Sequence, residues 1–152
     1  MTFPFKSILC PIDFDDNSVA ALDRAIELAS HFKSTLILMH VLPLVVALGE
    51  IPPPRALYED QEKAARAKLE DIAKSKLSGL KHESLLYTGD IVTCILDAQQ
   101  KYQPDLVVIA THGRGGIAHL VLGSVAEGVV RKAGCPVLTI RGTSHGKSEK
   151  KS

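Results

Sequence analysis

The chain has 152 residues, 45% of them hydrophobic and 23% charged, with a formal net charge of +1; this fits one domain around one core. So even a charge balance excludes the general attraction that nucleic acid or an anionic membrane surface depends on. Three widely spaced cysteines, Cys10, Cys94 and Cys135, with no CxxC pair or Cys/His cluster, exclude a disulfide framework and a zinc site and suit a reducing compartment.

The first six residues hold no apolar stretch of signal-peptide length, and no apolar run reaches membrane-spanning length. The expectation is a soluble, cytoplasmic protein. Ser7 to Asp13 reads as a first buried strand ending in a carboxylate. Asp16, Asn17 or Ser18 is expected to cap a helix in which Val19, Leu22, Ile26 and Ala29 recur at helical spacing. Thr35 to Val41, nearly all apolar, reads as a strand covered on both faces. Leu42 to Pro54 is a loop, because Ile51-Pro52-Pro53-Pro54 cannot be helix interior. An amphipathic helix is expected from Ala56 to Leu77, with Leu57, Ala65, Leu69, Ile72 and Ala73 on one face and Gly79 as its stop.

Ser84 to Tyr87 is a weaker third strand. Asp90 is expected to cap a helix carrying Ile91, Ile95, Ala98 and Tyr102. Leu106 to Ala110 is the strongest strand signal in the chain. A glycine-rich loop from Thr111 to Gly123 leads into a helix from Ser124 to Lys132, and Val137 to Ile140 is a last strand. The tail from Gly142 to Ser152 is Ser/Lys-rich and expected to be disordered, which leaves residues 1–141 as the folded domain. Strands alternating with helices indicate an α/β fold: a parallel sheet with right-handed crossovers and helices on both faces, hence three layers. Ligands of such sheets bind beyond the carboxyl ends of the strands, where strand order reverses. Two places qualify, the end of the first strand at Pro11 to Asp13 and the loop from Thr111 to Gly123.

That loop begins Ala110-Thr111-His112-Gly113-Arg114-Gly115-Gly116 and ends Gly123-Ser124. Glycines let backbone approach a ligand closely and expose successive N–H groups. At the helix start, unpaired N–H groups and the helix dipole favour a phosphate, and Ser124 adds a hydroxyl donor. The plain alternative is a tight surface loop without a ligand. Two familiar phosphate patterns fail. Gly113 to Ala118 spells GxGxxA but follows the fourth strand, with no acidic strand end about twenty residues on. Gly142 to Ser148 resembles a P-loop, but its glycines are one residue too close and no helix can follow.

With these residues in view, the chain resembles the universal stress protein family, of the ATP-binding kind. The family's loop reads Gly, two residues, Gly, nine residues, Gly, then Ser or Thr, after the fourth strand. Gly113, the stretch Arg114 to Leu122, Gly123 and Ser124 match; Ala110 stands where the first glycine would be. Similar segments are Ile8-Leu9-Cys10-Pro11-Ile12-Asp13-Phe14, Leu38-Met39-His40-Val41, Gly89-Asp90, Pro104 to Ile109 and Cys135-Pro136-Val137-Leu138, so the likeness runs over residues 5 to 141.

The resemblance implies a five-stranded sheet of order 3-2-1-4-5, adenine nucleotide alpha hydrolase-like, that binds ATP with Mg²⁺ or Mn²⁺. Asp13 would lie near the ribose or a phosphate-bound metal. Pro11, Ile12 and the backbone of Val41 would border the adenine. Gly113, Gly116 (beside the pattern rather than in it), Gly123, Ser124 and Val125 would surround the phosphates, and Ala110, Thr111 and Arg114 would be further nucleotide-binding residues of the same loop. Read without the resemblance, Asp13 is also a plausible turn or cap carboxylate and Val41 plain core. Asp15 and Asp16 offer further oxygen ligands for magnesium, but favouring a helix N-terminus is the simpler role. His112 flanks the loop, yet no general base stands paired with an orienting partner. Binding is therefore expected rather than turnover. The last strand is an apolar edge that needs covering, and the resemblance implies a homodimer through it. The leading expectation is a nucleotide-responsive homodimer serving stress response. A non-nucleotide scaffold of the same fold and a slow ATPase are the alternatives.

Overall fold

The computed structural model describes residues 3–44, 54–112 and 122–142. In chain order the elements are β1 (Ser7–Ile12), α1 (Asp16–Phe32), β2 (Thr35–Pro43), α2 (Arg55–Lys76), β3 (His82–Gly89), α3 (Ile91–Tyr102), β4 (Leu106–Ala110), α4 (Ser124–Lys132) and β5 (Val137–Ile140). The strands form one sheet of order β3-β2-β1-β4-β5, with every pairing parallel. Order and connectivity agree with the expected 3-2-1-4-5 sheet. The Ser/Lys-rich tail beyond Gly142 lies outside the described residues, as does most of the 42–54 loop.

Strand periodicity divides the core in two. Ile8, Cys10, Ile12, Leu36, Leu38 and Val108 point to one face, where Leu22, Ala25 and Ala29 of α1 and Leu69 of α2 cover them. Leu9, Ile37, Met39, Val41, Val107 and Ile109 point to the other, against Cys94, Ile95 and Ala98 of α3 and Ala126 and Val129 of α4. Burial on both faces is why the three central strands read as unbroken apolar runs.

Local chemistry moves several expected boundaries. Asp15, rather than Asp16, Asn17 or Ser18, caps α1: its side chain accepts from the Ser18 N–H, the bond that defines the cap position. The buried stripe of α1 is Ser18, Ala21, Leu22, Ala25 and Ala29, so Val19 and Ile26 lie beside it. On α2, Ala65 and Leu69 are buried while Leu57 is 47% exposed. The helix ends at Lys76, and the N–H of its C-cap residue Leu77 bonds the Ala73 carbonyl while the Leu77 side chain enters the core. Gly79 sits in the turn that follows, at φ 83°, a conformation a side chain would resist. β3 begins two residues early and ends two late; the added His82, Glu83 and Thr88 are polar and exposed, and pairing from Leu36 to Pro43 of β2 makes them strand.

Candidate functional site

The sheet reverses order between β1 and β4, with β2 on one side and β5 on the other. A cleft of about 790 Å³ opens there, at the carboxyl ends of the strands. Pro11, Ile12 and Asp13 line it from the end of β1, and His40 to Pro43 from the end of β2. Ile109 to His112 enter from β4, and Gly123 to Ala126 from the start of α4. Nine of the twelve expected site residues are thus brought together: Pro11, Ile12, Asp13, Val41, Ala110, Thr111, Gly123, Ser124 and Val125. Gly113, Arg114 and Gly116 lie outside the described residues. Val41 is both core and lining, its side chain packing among the α3 and α4 residues.

The turn after β1 is tightly organised. Asp13 Oδ1 accepts from the Ser18 hydroxyl at 2.8 Å and from the Asp15 N–H at 3.1 Å, while the Asp13 N–H donates to Ser18 Oγ at 3.1 Å. The Asp15 carboxylate closes the network by accepting from the Ser18 N–H at 2.8 Å. Burial, followed by the hydrogen bond and charge of Asp13, raises the Asp15 carboxyl above its ordinary value. Asp15 is the helix cap through its bond from the Ser18 N–H, and Asp16 is an exposed residue of the first helical turn. Among the described residues, no three His, Cys, Asp or Glu side chains are grouped to hold a metal ion.

Phe14 follows with φ 67°, the left-handed region that non-glycine residues seldom occupy. Its ring packs on the imidazole of buried His40, with centroids 4.3 Å apart and planes inclined by 40°. His40 Nδ1 lies 2.7 Å from the Ile12 carbonyl, within hydrogen-bond distance. The ammonium of Lys68, on α2, stands 5.3 Å from the centroid of the Phe14 ring.

The opposite wall is the start of α4. Gly123 is its N-cap, and having no side chain it leaves the first turn without a side-chain cap. The Gly123 N–H donates to the Thr111 carbonyl, which ties the helix start to the end of β4. Ser124, Val125 and Ala126 then present the first-turn N–H groups, where a helix attracts an anion. Thr111 Oγ1 and His112 Nδ1 are buried without a hydrogen-bond partner among the described residues, a state that costs free energy until something satisfies it.

The sequence reading missed several lining residues: Phe14, Ser18 and His40, together with Gln61, Ala64, Ala65 and Lys68 of α2 and Ile91 and Ile95 of α3. Ser18 was legible in principle, since Asp15-x-x-Ser18 is a capping spacing. The α2 residues follow i, i+3, i+4, i+7 and share a helical face, but nothing local tells that this face borders the cleft.

The sequence model of the "Universal stress protein family" matches residues 4–141. A universal stress protein of Thermus aquaticus is 35% identical over 140 residues, covering 90% of this chain and 99% of that one. Among solved structures, protein MJ0577 of Methanocaldococcus jannaschii superposes with a TM-score of 0.77 at 26% identity, over 90% of this chain and 95% of that one. A universal stress protein solved in complex with cAMP has a TM-score of 0.65 at 23% identity, covering 91% of this chain and 98% of that one, a likeness of fold.

Proposed function

The chain belongs to the universal stress protein family, and on that premise we propose that it is a regulatory protein that binds an adenine nucleotide, ATP first among them, in the β1/β4 cleft. One observation carries the reading: the Asp13 carboxylate and the uncapped first turn of α4 line the same cleft. Its volume, about 790 Å³, falls within the roughly 300–1,000 Å³ of small-molecule sites. The cAMP complex of a protein of the same fold supports an adenine base joined to phosphate as the ligand class.

In this reading Pro11, Ile12 and the backbone of Val41 border the adenine. Ser124, Val125 and Ala126 offer N–H groups to the phosphates, aided by the helix dipole. The buried Thr111 hydroxyl is a further donor beside them. Gly113, Arg114 and Gly116 complete the phosphate loop by their place in the sequence. A magnesium or manganese ion fits this donor set, because such an ion takes one or two carboxylates together with phosphate oxygens and water. Asp13 would hold it, and the ion would neutralise phosphate charge. The site is read as a binding site, and the nucleotide as a signal that biases a homodimer formed through β5, in a cytoplasmic stress response.

The test is titration with ATP–Mg²⁺ followed by calorimetry and thermal melting. A hundredfold excess over Kd is expected to raise Tm by about 5–10 °C, and Gly123→Val to weaken binding about tenfold or more by crowding the helix start. Wild-type protein that neither binds nor melts later refutes the reading and leaves a scaffold of the same fold. Phosphate release above background that disappears in Asp13→Ala would instead make it a slow ATPase.

A further inference from the structure

Of the residues that line the cleft from described parts of the chain, Lys68 is the only lysine or arginine. It belongs to α2, and α2 and α4 cover opposite faces of the sheet. Lys68 and the N-terminus of α4 therefore approach the cleft from opposite sides.

Three other cations of α2 are engaged elsewhere. Arg55 pairs with Glu59, Arg66 with Glu62, and Lys76 with Asp23. No described carboxylate pairs with Lys68. Its ammonium rests over the Phe14 ring, and that ring also packs on the His40 imidazole. Placing Phe14 there requires its left-handed backbone, which costs a non-glycine residue free energy. A cation resting on a phenyl face at an exposed site is weakly held, and a phosphate oxygen attracts the same ammonium more strongly.

We propose that Lys68 is the residue by which this cleft discriminates a phosphorylated nucleotide from its uncharged nucleoside, its ammonium contacting the phosphate chain from the side opposite α4. The inference rests on the nucleotide-binding reading and deepens it. Phe14 is the resting place that keeps the ammonium at the cleft, and the i, i+3, i+4, i+7 face of Gln61, Ala64, Ala65 and Lys68 is the wall that carries it. Adenosine would use the same cleft without engaging Lys68.

Calorimetric titration of ATP and adenosine, each with magnesium at fixed ionic strength, into wild type, Lys68→Met and Lys68→Arg tests this. Lys68→Met is expected to raise Kd for ATP about tenfold and to leave adenosine within about twofold, the size of one lost charge-assisted hydrogen bond. Lys68→Arg is expected to keep ATP within about threefold, because the charge remains. Unchanged ATP affinity in Lys68→Met overturns the proposal. So does an equal loss for adenosine, which would assign Lys68 to packing against the base. A wild type that binds adenosine and ATP alike also overturns it while leaving the nucleoside pocket standing. A wild type that binds neither removes the nucleotide reading itself, and this inference with it.

Discussion

The Ser18 hydroxyl donates to Asp13 Oδ1 at 2.8 Å and accepts from the Asp13 N–H at 3.1 Å, so the first turn of α1 fixes the carboxylate at the end of β1. Ser18 is only 4% exposed. Ser18→Ala removes both contacts from this part-buried turn. Unfolding free energy is expected to fall by about 1–3 kcal/mol, with weaker ATP binding because Asp13 is no longer oriented. Urea unfolding and titration with ATP–Mg²⁺ check the two effects; unchanged stability would show that the network does not organise the turn.

Asp15 gives a pH signature. Burial, and then Asp13, raise its native pKa above the ordinary value of 3.8, so the native state holds this proton more tightly than the unfolded chain. Its contribution to stability therefore falls as pH climbs from near 3.8 through the raised value, and is level above it. Asp15→Asn keeps a capping oxygen and removes the titration. Its stability relative to wild type should rise with pH across that window, as followed by urea midpoints. Asp15→Ala should lose about 1 kcal/mol through the missing cap. A relative stability of Asp15→Asn that falls with pH would contradict the assignment.

The cysteines should separate by reactivity. Cys10 is fully buried, and burial pushes its thiol up to about 12. Cys94 is buried and Cys135 half-buried, both also raised chiefly by burial. Thiolate is the reactive form. Alkylation of native protein at mildly alkaline pH should mark Cys135 first and Cys10 only on unfolding, as peptide mass spectrometry would read. Equal native labelling of Cys10 and Cys135 would be inconsistent with this core.

β5 is a sheet edge, and Leu138 on it is 39% exposed. If the homodimer forms there, Leu138→Asp should lower the mass measured by light scattering at micromolar concentration to that of one chain. Nucleotide binding should persist, because Leu138 does not line the cleft. A wild type that is already monomeric would remove this pairing.

Much of the fold was legible because its signals are local. β4 and β5 are apolar runs bounded by Pro104-Asp105 and Cys135-Pro136, and Gly123-Ser124 marks the start of α4; all three elements have the expected bounds. Misplaced features depend on distant partners. His82 and Glu83 are exposed and polar, and become strand only by pairing with Leu36 and Ile37. Leu57 fits the apolar spacing of α2, yet periodicity does not tell which turns of a helix reach the sheet. The same limit hid part of the site. Asp13 could be placed at a strand end from its neighbours, whereas Lys68 meets Phe14 across 54 positions only because α2 docks beside β2.

The central claim is that the cleft holds an adenine nucleotide, and the direct measurement is of what the protein carries. Protein purified without added nucleotide is denatured, and the released small molecules are identified by liquid chromatography and mass spectrometry. The account predicts an adenine nucleotide at close to one per chain. An empty extract, together with no binding on titration with ATP–Mg²⁺, would contradict it.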